Sequence, residues 1–533
     1  MSGVVARSGA RSRELSRAFA AVRGVAGLTL ASRGVGFLRD VLMAMALGAG
    51  SVADAFLLAW TLPNLARRLF GEGAFAGALV PVFVDAREKG DAEGARRLIG
   101  VATTRLALGL IALTLLLEAG LAALRTGAGL ELLAARGLDA AGSDLVLRLS
   151  QVLLPHLLLA CLAGVLGSAL NALDRFALPA AAPVLLNLAW IGLLLAGVAA
   201  GGGDLFLAEL LAWGLLAAGV LQVWLHLEGT ARAGLRLTPA LSGADPERLL
   251  RVRRMFGGLV LGLALFQVNC LIDQLLAWLF VPAGGLSALY YANRLIQLPV
   301  GVLGVAVSTV VFPQLARLAQ RGDHAGAGEL VDRGVALAAF VSLPCAVGLA
   351  CLAEPLVGAL FARGAFDAEA VARTARVTLL LTPAIVASCV SPVLTRALWA
   401  EEESRLPVRI SAVTVACNVA LNLALVGPLD EAGLALATSL SQLLGLALLL
   451  VVGRRRRAAR GVAPSLRRNA AAIVRIALLS LLGGAVALAA WHLVPGPAVL
   501  RAGLAVGLSA SIYLVAARAV GASELQLLVS RNR

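Results

Sequence analysis

Before its closing Asp85, the stretch over residues 32–85 carries seven ionisable side chains, Arg33, Arg39, Asp40, Asp54, Arg67, Arg68 and Glu72, and is otherwise apolar enough to sit in a lipid bilayer. An ionised side chain at the centre of a membrane helix costs about 2.5–3.5 kcal/mol on insertion scales. So many charges in two successive segments point to a water-filled cavity, where they stay hydrated and can meet a charged ligand. Arg294 adds a further cation inside the apolar run Tyr290-Tyr291-Ala292-Asn293-Arg294-Leu295. Arginine presents a rigid fork that matches phosphate oxygens in pairs, which a lysine ammonium does not. Five arginines (33, 39, 67, 68 and 294) against three acids (40, 54 and 72) leave at least two positive charges over, which suits an anion such as a diphosphate. The competing reading is structural: each arginine pairs with Asp40, Asp54 or Glu72 to hold helices together, and Arg67 and Arg68 snorkel to the interface from a helix end.

Helix geometry orders these residues. Arg33 and Asp40, seven apart, lie within about 20° of one face, with Gly36 on the same stripe, whereas Arg39 projects about 100° from Asp40. Arg68 and Glu72 are four apart and can pair. A fainter constellation lies further on. Asp273, near Gln267 and Asn269, is an acid in an apolar span; Asn418 and Asn422 share a helix face, and Thr438 lies on the next span. Oxygen ligands from three helices would suit Na⁺, a hard cation. Alternatively Asp273 takes up a proton, or the amides and hydroxyl simply bond between helices.

The elements that carry these residues are membrane helices. Of 533 residues, 60% are hydrophobic and 14% charged, where a soluble chain carries about 25% charged. At about 20 apolar residues per span, fourteen candidate spans can be counted. The net charge of +15 would suggest nucleic acid in a soluble protein. Here the arginines cluster in alternate loops, so the excess is a topology signal that places both termini in the cytoplasm. The loops around Arg125–Arg148 and Arg363–Arg376, on the opposite side, also carry arginine and dilute the contrast. The six cysteines all fall inside candidate spans, without a CxxC or Cys/His spacing that would bind zinc.

The chain also repeats itself. Pro155 and Pro179 are 24 apart, as are Pro383 and Pro407, each pair bracketing a similar segment; Leu62-Pro63 with Val80–Phe83 is echoed by Leu298-Pro299 with Val310–Pro313. Two matches at offsets near 230 suggest two lobes. Six helices per copy keep both lobes in one orientation, related by an axis along the membrane normal. The expected organisation is a basic N-tail (1–23), an N-lobe (24–228), a cytoplasmic linker (229–250), a C-lobe (251–453), a basic loop (454–469), a final pair of spans (470–520) and a tail (521–533). In the linker, Leu235, Leu237, Leu241, Leu249 and Leu250 could lie on the inner leaflet, or the segment is a plain connection.

The run SRxxGFxRD, then GAGxxADAF, then LPNLxRRLFxEGAF with VPVF behind it, resembles the MurJ/MviN family of lipid II flippases. The resemblance implies an all-α polytopic fold of about fourteen helices, with two MATE-like six-helix lobes and two C-terminal helices forming a lipid-tail groove. It implies that Arg33, Arg39, Arg68 and Arg294 handle lipid II, and that Asp40, Asp54 and Glu72 match the family's acidic positions. Asn293 and Gln297 depart from it, standing where relatives carry acids, which makes the cavity more positive.

The expected activity is therefore the transfer of a polyprenyl-diphosphate cell-wall precursor, lipid II, from the inner to the outer leaflet of the bacterial cytoplasmic membrane. No cofactor is expected beyond Na⁺ or proton coupling, and the partners are lipid II, membrane lipids and the cell-wall synthesis machinery, not nucleic acid. A polysaccharide-lipid or drug exporter of the same superfamily is the alternative; a cationic-drug exporter needs an acidic cavity, which the arginine surplus opposes. A membrane glycosyltransferase would need a base or metal-binding acids in a sizeable loop, and four histidines with short loops do not supply them.

Overall fold

The computed structural model describes residues 27–28, 31–134, 139–301, 314–318, 320–403, 405–461 and 466–529, with 71–73, 261–263, 266, 466–469 and 527–529 described for the backbone alone. The basic N-tail, the 310–313 half of the second repeat and the Glu72 side chain lie outside the described residues.

Runs rich in Ala and Leu favour helix, and in lipid a helix bonds every backbone N–H and C=O within its own segment. Among the described residues there is no strand. Helix α1 covers residues 31–47, and α2 (Ser51–Ala66) runs through a π turn (Arg67–Ala74) into α3 (Phe75–Glu88). There follow α4 (Ala92–Leu124), α5 (Gly127–Ala134), α6 (Ala140–Leu153), α7 (His156–Ala172), α8 (Ala177–Ala199) and α9 (Asp204–Arg232). Next come α10 (Pro246–Phe280), α11 (Gly285–Pro299), α12 (His324–Cys351), α13 (Ala353–Phe361) and α14 (Ala368–Ala400). The last are α15 (Arg405–Ala459), α16 (Leu466–Leu493), α17 (Ala498–Ala519) and α18 (Ser523–Val529).

Ten helical stretches among the described residues are long and apolar enough to cross a membrane. One of them, α15, has 55 residues, about 80 Å if straight against a hydrocarbon core of about 30 Å. Asp430, at φ 50° and ψ −133°, divides it behind Gly427-Pro428-Leu429. With that division and with α1, α10 and α11, the helices are consistent with fourteen spans of an all-α membrane protein.

The chain forms two compact units, α1 with residues 51–271 and the turn 48–50 with residues 272–533, so the boundary falls inside α10. In the first unit, Phe75, Leu79, Val82 and Phe83 of α3 pack against Leu98 and Ile99 of α4. Leu235 is buried in the same cluster, with Leu237 and Leu249 packed against it. Leu241 and Leu250 are exposed. The segment after α9 is thus a strap docked along α4. Ala240 N donates to Thr104 Oγ1 at 3.1 Å, and Arg105 donates through Nη2 to Leu241 O at 2.8 Å. The strap crosses at Gly100, where a Cβ would stand 2.9 Å from Thr238 O. Beyond it, Arg248 closes on Asp91 at 2.6 Å.

The repeated prolines act differently in the two units. Leu154-Pro155 separates α6 from α7, whereas α14 runs unbroken through Pro383. Three of the arginines that dilute the charge contrast between loops have acidic partners: Arg125 meets Asp144 at 2.9 Å, Arg148 pairs with Glu209, and Arg373 meets Glu431 at 2.8 Å. In the second unit α16 and α17 join the core through Phe340, Ile476, Leu479 and Tyr513. All six cysteines are free thiols.

Candidate functional site

The first unit gathers its polar residues around Arg39. On α1, Asp40 Oδ1 accepts from Arg39 Nε at 3.0 Å and from Nη2 at 2.6 Å. The two Cβ directions diverge by about 100° on a helix, yet the long arginine stem bends back to its neighbour. From α8, Asn187 Oδ1 accepts from Arg39 Nη1 at 3.0 Å, and the Trp190 ring lies under the guanidinium, 4.4 Å from centroid to Cζ. Arg39 is 8% exposed and Asp40 1%. A pair this deep needs hydrogen bonds beyond its Coulomb attraction to offset desolvation, and Asn187 supplies one. Gly36, one turn before Asp40, lets α8 approach: a Cβ there would stand 3.2 Å from Asn187 Nδ2. Neither Asn187 nor Trp190 was legible as a site residue in the sequence, since both are uncharged and lie in an apolar run.

Arg33 is exposed, one to two turns before Arg39 on α1. Asp54, in the first turn of α2, is buried at 7% exposure. Arg67 opens the π turn and donates to Asn64 Oδ1 at 3.2 Å; Arg68, beside it, is exposed. The sequence spacing of Arg68 and Glu72 assumed an α-helix. The π turn there alters the register, a device found often at functional sites.

In the second unit, Arg294 on α11 donates to the Tyr290 hydroxyl at 2.8 Å, with its guanidinium 4.7 Å from the Tyr290 ring centroid. Its Nη1 donates to Gln297 Oε1 at 3.4 Å, so one of the two departures from the family pattern is a neutral acceptor for this arginine. The other, Asn293, turns back to Leu289 O at 2.9 Å.

The fainter constellation is a connected chain within the same unit. Asn422 Nδ2 donates to Asp273 Oδ1 at 2.6 Å and to Asn418 Oδ1 at 3.0 Å; Asn418 Nδ2 donates to Ser441 Oγ at 3.2 Å. Thr438 is drawn in less directly: its hydroxyl donates to Leu434 O at 2.9 Å, and its carbonyl accepts from Ser441 Oγ at 3.0 Å. Ser441 was missed in the sequence because a lone serine in a membrane helix carries no signal. Asn418 and Asn422 are 2% and 0% exposed. Among the described residues no hydrogen bond reaches Asn422 Oδ1, although it is buried. A buried acceptor without a donor is what a cation would use, and one carboxylate with neutral oxygens forms the donor set of a hard monovalent ion. Among the described residues, no group of three or more His, Cys, Asp or Glu could hold a metal.

Many apolar helices, with the buried Arg39 in the first unit and the carboxylate–amide chain at Asp273 in the second, fit a polytopic membrane transporter. The fold is shared with solved transporters. The chain matches a solved structure of "Lipid II flippase MurJ, inward closed conformation" with a TM-score of 0.75 and 21% identity, over 93% of this chain and 99% of that one. An inward-facing MATE-family multidrug transporter matches with a TM-score of 0.65 and 14% identity, over 80% of this chain and 95% of the other. Residues 43–500 match the family model described as "Lipid II flippase MurJ". The "Probable lipid II flippase MurJ" of Rhizobium tropici is 35% identical over 439 residues, 81% of this chain and 80% of its own. That of Haemophilus influenzae is 32% identical over 490 residues, 88% of this chain and 91% of its own. The chain belongs to the MurJ lipid II flippase family.

Proposed function

We propose that this protein is a transporter, not an enzyme, and that it flips lipid II from the cytoplasmic to the outer leaflet of the inner membrane by alternating access. The observation that carries the reading is Arg39: a cation almost removed from water, fixed by Asp40 and Asn187 in the unit where the family's arginine-rich segment lies. Arg33, Arg39, Arg67, Arg68 and Arg294 take the diphosphate of the headgroup, and Asp40, Asp54 and Glu72 set their charge and orientation. Guanidinium forks recognise phosphate in pairs, which suits a diphosphate better than a cationic drug. The lipid tail stays in the membrane beside α16 and α17, whose outward residues, such as Leu478 at 62% and Leu481 at 59% exposure, are apolar.

Asp273, Asn418, Asn422 and Thr438, with Ser441, form the coupling site, and Na⁺ is the ion that the orphaned Asn422 oxygen fits. Bound there, the ion would neutralise the carboxylate in one conformation and bias the cycle toward it. Both termini lie in the cytoplasm, and the basic loops face the enzymes that make and use lipid II. The test is leaflet accessibility of labelled lipid II in cells depleted of the protein and then restored. Precursor that reaches the outer leaflet at the normal rate during depletion would sink the proposal. A carrier of a polysaccharide-linked polyprenyl diphosphate shares the charge pattern, and the same assay run with that lipid separates the two.

A further inference from the structure

We propose that Trp190 is a positioning residue for Arg39, presenting its guanidinium to the headgroup diphosphate; this rests on the assignment of Arg39 to that headgroup. Trp190 is fully buried on α8 and turns its ring face, not its edge, toward Arg39, with Cζ 4.4 Å from the centroid. The ring is itself set by α2. Trp60 and Phe56, one turn apart, meet it edge-on at 5.3 Å and 5.5 Å with interplanar angles of 85° and 83°. Trp60 leans in turn on His156 at the start of α7, at 5.0 Å.

A buried tryptophan ordinarily finds a partner for its indole N–H. Here Nε1 is buried and, among the described residues, has no hydrogen bond. The ring is thus held by its contacts with Arg39, Trp60 and Phe56 and not by its indole donor. The consequence falls on Arg39. Its stem has several rotatable bonds and substantial rotamer entropy. Asp40 and Asn187 hold the guanidinium edge, and Trp190 covers one face, so the orientation in which Arg39 meets a ligand is set in advance. Pre-orienting a long side chain in this way removes part of the ordering cost of binding. The indole face also stabilises the charge where water is scarce.

The experiment is a double-mutant cycle on the full-length protein in detergent or nanodiscs, with lipid II as the probe. Trp190→Leu and Trp190→Phe are each made in the wild type and in Arg39→Ala, and lipid II affinity, turnover and thermal stability are measured. Trp190→Leu should weaken affinity about tenfold and Trp190→Phe about threefold, the order expected for losing or shrinking a desolvated cation–π contact. Neither should weaken it further when Arg39 is already alanine. The same loss in both backgrounds would show that Trp190 is only core, and would overturn the inference. If the leucine variant does not fold, the phenylalanine arm and intrinsic fluorescence decide. Lipid II should change the tryptophan emission of the wild type, and that change should shrink in Trp190→Phe at saturating ligand. An unchanged response in Trp190→Phe would also overturn the inference. Wild-type affinity in Arg39→Ala alone would instead remove Arg39 from the headgroup site, a distinct outcome that takes the role of Trp190 with it.

Discussion

Asn422 lies between two oxygens: its Nδ2 bridges Asp273 Oδ1 at 2.6 Å and Asn418 Oδ1 at 3.0 Å, while no hydrogen bond among the described residues reaches its own Oδ1. In this arrangement the amide gives hydrogens to the carboxylate. A cation would need the opposite face of the amide, reached by rotating its terminal torsion. On the proposed assignment, the same three side chains would exchange their hydrogen-bonded arrangement for an ion-binding one through that single torsion.

Turnover should accordingly depend on the ion. Replacing Na⁺ by K⁺ or choline should slow lipid II turnover at least about fivefold, the low end of coupling between linked sites. Asp273→Asn should slow it similarly and abolish the dependence, with lipid II affinity changed less. Turnover that ignores the replacement would leave a proton or the membrane potential as the driver.

Arg39 and Asp40 should separate charge from fork geometry. Arg39→Ala should abolish complementation at normal protein levels, and Arg39→Lys should be only partly active, because bidentate recognition is lost. Asp40→Ala removes one partner of a buried ion pair, a change that destabilises by up to about 3–5 kcal/mol. Asp40→Asn, which keeps an oxygen at the Oδ1 position, should be milder in a thermal melt. Equal melting of the two aspartate variants would show that the pair does not depend on that acceptor.

The charges of this site were legible in the sequence because ionisable residues in apolar spans stand out one by one. Their partners were not. Asn187 comes from 148 residues away and Asn422 reaches Asp273 across 149, and no local spacing encodes such pairings. The break at Asp430 was legible from Gly427-Pro428-Leu429-Asp430, a turn signal between two apolar runs. The π turn at Arg67–Ala74 was not, because it differs from an α-helix by an inserted residue rather than by composition. The linker's leucines left the leaflet and a plain connection open, and neither reading foresaw that Leu235 would enter a buried cluster and carry the strap onto α4.

Asp430 should be replaceable with profit to stability. At φ 50° and ψ −133° it occupies a backbone region that only glycine enters without strain. Such residues cost of order 1–3 kcal/mol each. Asp430→Gly should raise the melting temperature and leave transport intact, while Asp430→Ala should give little or no gain. A lower melting temperature for the glycine variant would mean that the aspartate side chain contributes more than its backbone costs.

The strap after α9 should be released by acid and not by alkali. Asp91 caps α4, with Oδ1 accepting from Gly94 N at 2.8 Å, and Oδ2 accepts from Arg248 at 2.6 Å. The Arg248 guanidinium, and after it the cap bond, hold this carboxyl below the usual carboxylate range. A carboxylate with a depressed pKa contributes stability that is complete above its unfolded value, about 3.9, and is lost as pH falls through the folded value. Hydrogen exchange at residues 233–245, corrected for the intrinsic pH effect, should therefore be flat from pH 7.5 to 5 and increase only below about pH 4. Arg248→Met should increase exchange there at neutral pH and remove the acid step. Asp91→Asn separates the two roles of the side chain, because asparagine is as good an N-cap as aspartate but carries no charge for Arg248. It should keep the first turn of α4 protected while loosening the strap. Loss of protection in both places would show that the cap, not the ion pair, holds the strap in position.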